Sequence, residues 1–199
     1  MQQIERLESR QLLASQGAVD TTFGVDGRAR FELADNESVY AQTIGDDGSV
    51  FVAFGANSAL RVIKFDATGT IDRSYGDGDG VVELPASISS IKQMRALRFG
   101  KLMVTGASTA DSSPATGSDM IAMRLGIRGE PDKSFGKNGI ARVDLVSAEV
   151  GEPVNDGLRV SDISADGAVV LLSRMFYHND TVGSEMGIAM LRPFSASKG

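Results

Sequence analysis

Apolar positions along this chain come in short bursts, and glycine-bearing turns separate them. In Ala29-Arg30-Phe31-Glu32-Leu33 apolar and charged side chains alternate, the period of a strand with one buried face. Comparable first strands are expected over 28–33, 81–84 and 140–145. A second strand is expected near 39–44, 91–97 and 158–163. A tight turn ends each one, at Asp46-Asp47-Gly48, Arg98-Phe99-Gly100 and Ala165-Asp166-Gly167. Asp-Gly between apolar strands suits a two-residue primed hairpin, which needs positive φ. The third strands, at 50–54, 102–105 and 169–172, are almost uninterrupted apolar runs, as expected of strands covered on both faces. Fourth strands are expected at 60–65, 120–125 and 188–191.

The pattern repeats, and one phrase marks the period. Asp20-Thr-Thr-Phe-Gly24, Asp72-Arg-Ser-Tyr-Gly76 and Asp132-Lys-Ser-Phe-Gly136 begin 52 and 60 residues apart. A second glycine follows each, at Gly27, Gly80 and Gly139. Units of this length bury a face only against a neighbour, so stacked four-stranded units are expected. The expected fold is all-β: tandem four-stranded antiparallel meanders, a partial β-propeller of about three blades over residues 17–199. Polar loops at 111–119 and 177–186 account for the unequal period. Residues 1–16 differ, having no Gly or Pro and mostly good helix formers. They are expected to form a short N-terminal helix. They lack the apolar core of a secretory signal peptide.

The Asp-x-Ser/Thr-Phe-Gly phrase, followed by x-x-Gly and a strand, resembles the delta-60 repeat of bacterial tandem arrays. The departures are the short first interval and Tyr75 in place of Phe. The resemblance covers about residues 17–194 and implies propeller blades without implying an activity. Leu7-Glu8-Ser9-Arg10-Gln11-Leu12-Leu13 resembles the LEPRxLL segment of planctomycete surface and exported proteins, with Ser9 where that pattern prefers Pro. This resemblance implies a bacterial cell-envelope or extracellular setting.

Composition narrows the partners. Net charge is −6 without a Lys/Arg stripe, so the counterion-displacing footprint of a nucleic-acid binder is missing. No apolar stretch approaches the roughly 20 residues that span a bilayer, so no transmembrane segment is expected. The chain has no Cys, which excludes disulfides, thiolate nucleophiles and Cys-based zinc sites. Trp is absent as well, removing the commonest stacking platform of carbohydrate sites.

Chemical candidates are few. Asp20, Asp72 and Asp132 recur, and Asp in turns accepts backbone N–H bonds two residues on. A structural role therefore outweighs a catalytic one, and the following Phe or Tyr is expected to plug the gap between units. Asp77-Gly78-Asp79-Gly80 resembles a piece of a calcium loop without its spaced ligands or distal Glu. His178 is the single histidine, too few for a multi-His metal site. Asn36-Glu37-Ser38 and Asn179-Asp180-Thr181 fit the glycosylation sequon, a chance match in a bacterial protein. Gly117-Ser118 and Gly183-Ser184 are not nucleophile elbows. Glu32, Glu83, Asp144 and Asp162 would serve a hydrolase only if they faced one another at about 5–10 Å. No catalytic, cofactor or metal set is therefore assigned. The expectation is a non-catalytic surface or extracellular scaffold or ligand-binding module. The alternatives are an envelope hydrolase with convergent Asp and Glu, or a fragment of a larger repeat protein. Three blades leave open ends, so self-association is expected, for example of two chains into a six-bladed ring.

Overall fold

The computed structural model describes residues 17–56, 59–108, 119–143, 158–176 and 184–192. The helix expected over residues 1–16 lies outside them. The described chain is all-β, with eleven strands in three antiparallel sheets. Strands β1 (Ser38–Ile44), β2 (Val50–Ala56), β3 (Ala59–Phe65) and β4 (Val81–Glu83) form the first sheet in that order. Strands β5 (Ile88–Ala96), β6 (Leu102–Ser108), β7 (Asp119–Leu125) and β8 (Ile140–Val143) form the second. Strands β9 (Leu158–Ile163), β10 (Val169–Phe176) and β11 (Ser184–Leu191) form the third, which has three described strands.

Sheet boundaries do not follow the sequence repeat. The strand after the second and the third Asp phrase joins the sheet before it: β4 pairs with β3, Ile63 opposite Val81, and β8 pairs with β7, Met123 opposite Ile140. The phrase thus carries the chain from one sheet to the next. Of residues 28–33, expected as the first strand of the first unit, Arg28 makes only isolated bridges to Gly24 and Val25 and 29–33 form no strand. No sheet precedes them among the described residues, and a strand needs a ladder partner.

Period-two alternation distributes side chains between two faces of each sheet. Phe51, Ala53, Leu60 and Val62 of the first sheet meet Leu102, Val104, Ile121 and Met123 of the second in one core. The opposite face of the second sheet, with Met103, Met120 and Ala122, meets Leu158, Ile163, Val169 and Leu171 of the third. Strand β6 is buried along its whole length, polar Thr105 and Ser108 included, in line with the nearly apolar run at 102–105. The inner strands adjoin in sequence, β1 beside β5 and β5 beside β9. The Ala96 N–H donates to Thr43 Oγ1 at 3.2 Å. A part-buried trio links the next pair: Ser161 Oγ lies 2.6 Å from Thr105 Oγ1 and donates to Gln93 Oε1 at 2.8 Å.

The inner hairpins differ from the expected two-residue turns. The Gly45 N–H donates to the Ser49 carbonyl and the Gly48 N–H to the Gly45 carbonyl. The Ser164, Gly167 and Ala168 turn has the same pattern. These are three-residue loops closed by a glycine at positive φ, 81° at Gly48 and 86° at Gly167, a common alternative hairpin. Asp47 and Asp166 each accept bonds inside the loop, which favours the longer form.

Candidate functional site

The Asp phrase is a clasp between sheets. In the second copy, Asp72 Oδ1 accepts the Ser74 N–H at 3.0 Å and the Ser74 hydroxyl at 2.5 Å. Its Oδ2 pairs with Lys64 Nζ of β3 at 2.8 Å, while the Asp72 N–H donates to the Lys64 carbonyl. At the other end of the phrase, the Gly76 N–H donates to the Arg128 carbonyl in the turn after β7. One short segment therefore ties the first sheet to the second. Tyr75 is fully buried between them, edge-on to Phe51 with ring centroids 5.7 Å apart.

The third copy repeats the chemistry with a stronger cation set. Asp132 Oδ1 accepts from Ser134 N–H and Oγ. Its Oδ2 meets Arg124 Nε at 2.8 Å and Lys101 Nζ at 2.7 Å. Burial alone would raise the Asp132 carboxyl. The hydrogen bonds from Lys101 and Ser134 and the charge of Arg124 outweigh it and hold the group well below the usual carboxylate range. The Arg124 guanidinium also lies 4.9 Å from the centre of the Phe135 ring, which is buried. In the first copy, Asp20 Oδ1 accepts from Thr22 N–H and Oγ1, but no cation among the described residues pairs with Asp20. The Gly24 N–H still donates to the Thr68 carbonyl of the following turn. This clasp is half closed.

Lys64 and Arg124 were not singled out from the sequence, although each stands eight positions before the Asp it binds. A comparison of the two repeats at that offset reveals them. Phe99 was noted only as a turn residue. It adopts φ 63° and is 87% exposed. With Ile127, 58% exposed, it rims a cleft of about 320 Å³ between the first two sheets. Asp47, Lys64 and Arg98 contribute polar groups there. Such a cleft can hold a flat or apolar group against Phe99 and Ile127. Lys64 is already engaged by Asp72, and the Ser49 hydroxyl, which donates to Asp47 Oδ1 at 2.6 Å, is buried within its loop.

The remaining candidates do not gather. Glu83 ends β4 on the outer edge of the first sheet, three strand spacings, roughly 14 Å, from β1. Asp162 lies on β9, the inner strand of the third sheet, where its Oδ1 accepts the Ile163 N–H. Glu32 lies in the exposed segment before β1. Asp79 Oδ1 accepts the Val81 N–H at 2.9 Å, an ordinary turn bond. Among the described residues, no group of three or more His, Cys, Asp and Glu could hold a metal ion. Glu37 of the first sequon pairs with Arg61, and its other oxygen accepts the Ala34 N–H. Asp144, His178, the 179–181 sequon, Gly117-Ser118 and Gly183 lie outside the described residues. So does the side chain of Ser184. No described helix is long and apolar enough to cross a membrane.

No protein-family profile matches the chain, and no curated protein sequence matches it. Among solved structures, it is similar to a GH43 glycoside hydrolase engineered to display both endo-xylanase and exo-arabinofuranosidase activity. That match has 19% identity and a TM-score of 0.41 over 79% of this chain and 26% of the other. A second similar structure is a Bacteroides caccae protein of unknown function, with 10% identity and a TM-score of 0.41. It covers 78% of this chain and 48% of that one. The chain thus spans about a quarter and about half of these two structures.

Proposed function

We propose that this chain is a non-catalytic module of delta-60-type propeller blades, acting at a bacterial surface or outside the cell as a scaffold or ligand-binding platform. The use of the recurrent Asp carries this reading. In Asp72 and Asp132 both carboxylate oxygens are engaged inside the fold, one within the phrase and one on a cation of the preceding strand. A general base or nucleophile needs a lone pair free for substrate. The carboxylates best placed by number and recurrence are therefore structural. A ligand would contact the cleft rimmed by Phe99 and Ile127, where exposed apolar side chains lie above polar groups.

The test presents the purified chain with a panel of bacterial and plant polysaccharides and envelope extracts. Retention on the column and release of reducing ends are followed together. The expected result is retention weakened by Phe99→Ala, with no release. Release of reducing sugar that is lost in Asp162→Asn or Glu83→Gln would overturn the reading in favour of a hydrolase.

A further inference from the structure

The two ends of the sheet stack are complementary, and the two internal seams show how. We propose that residues 28–33 of one copy of this chain add to the outer edge of β11 in a second copy, as its fourth strand. In the first and second sheets that edge, on β3 and β7, is covered by the segment following an Asp phrase. The chain has three such segments. Two become β4 and β8; the third, 28–33, has no strand partner among the described residues, and neither does the outer edge of β11.

The unpaired segment is already placed for that role. Val82 of β4 packs towards the following sheet, as Ala141 and Val143 of β8 do. Ala29 packs in the same way against Phe54, Ile63 and Phe65 of the sheet that follows it. Phe31 meets Phe54 edge-on at 5.3 Å. Its opposite edge is where a preceding sheet would lie.

The third sheet presents the matching face. By alignment through the β2–β3 and β10–β11 ladders, Met186 and Ile188 stand where Leu60 and Val62 stand in the first sheet. Leu60 and Val62 are 1% and 0% exposed, whereas Met186 and Ile188 are 66% and 57% exposed. Val160, also exposed, occupies the place of Ala41, which packs into the first core. An apolar face of this kind on a sheet end is costly in water and is covered in both internal copies.

Register follows from the internal seams. Ile63 opposite Val81 and Met123 opposite Ile140 place Ala189 opposite Arg28 of the second copy. Ile188 then faces Ala29, and Met186 faces Phe31. One contact is weaker than its counterparts: Met190 stands where Lys64 and Arg124 hold the Asp of the phrase, so Asp20 of the second copy would meet no cation there. Because the two surfaces differ, the contact is head-to-tail and either closes into a ring or propagates. Two copies would make six sheets, within the range of closed propellers.

The chain has no Cys, so a paired substitution reads the register directly. Arg28→Cys with Ala189→Cys sets two thiols across a non-hydrogen-bonded antiparallel pair, about 4.5 Å between Cα atoms, within disulfide reach. Mild oxidation is expected to give an intermolecular disulfide. Arg28→Cys with Met190→Cys, on opposite faces, is expected to give none. Sedimentation of the unmodified chain is expected to show association, weakened at least about tenfold by Ile188→Lys, which buries an unpaired charge. Met190→Lys, restoring the missing cation, is expected to tighten it a few-fold. A folded monomer at every concentration, a disulfide confined within one chain, or association indifferent to both Ile188→Lys and Met190→Lys would overturn the proposal.

Discussion

The Tyr75 hydroxyl is fully buried and has no hydrogen-bond partner among the described residues. Burial, reinforced by the negative charge of Glu130, pushes its ionisation above the ordinary tyrosine value. A buried hydroxyl without a partner keeps its desolvation cost and gains nothing for it. Phe stands at the equivalent positions 23 and 135. Tyr75→Phe is therefore expected to raise stability by about 1 kcal/mol in urea unfolding; a loss would mean that the hydroxyl is satisfied in solution. Asp132 gives the opposite lesson, a polar group held on all sides. Its carboxyl is depressed in the folded state, so its contribution is complete above the unfolded value of about 3.9. That contribution is lost as the pH falls below this value and through the lower folded one. Asp132→Asn is expected to destabilise at neutral pH and to flatten the acid limb of the stability curve. Chemical denaturation across pH measures both effects.

Within an element, the decisive feature is the step from phrase to strand. Gly76 has φ 70°, and a Cβ there would overlap the Val81 carbonyl oxygen. Gly24 and Gly136 repeat the geometry against Arg28 and Ile140. An L side chain at positive φ costs roughly 1–2 kcal/mol before any steric overlap, so Gly76→Ala is expected to exceed that cost. It should also weaken the bond from the Gly76 N–H to the Arg128 carbonyl that joins two sheets. Thermal unfolding tests this against Gly78→Ala, where φ is 105° but a Cβ meets nothing nearby. Equal losses at the two positions would show that backbone conformation alone matters there.

Among the described residues, the second sheet has a neighbouring sheet on each face and the first and third have one each. Stability in stacked repeats is close to a sum of unit and interface contributions. Amide exchange is therefore expected to be slowest in β6 and β7 and fastest in β11. Deuterium uptake by mass spectrometry on the unassociated chain would show the gradient; uniform protection across the three sheets would contradict it. Protection of β11 that rises with protein concentration would report the strand addition.

The all-β character, the glycine-marked turns and the structural role of the Asp phrase were legible in the residues. Each rests on local chemistry: period-two alternation, positive φ, and an Asp side chain reaching the N–H two residues on. Strands 39–44 and 158–163 were placed correctly because their ends are marked by turns. The grouping of strands was not legible. Repeats in sequence suggest that each unit is one sheet, yet β4 and β8 belong to the sheet before them. Linear order states which strand follows which, whereas pairing is decided by which edge is free when the chain returns. The roles of Lys64 and Arg124 also depended on the fold, since a cation eight residues from its Asp is a partner only once strand and phrase are brought together. Sequence determined the local units; tertiary structure decided their neighbours, because ladders and buried faces are satisfied between segments rather than within them.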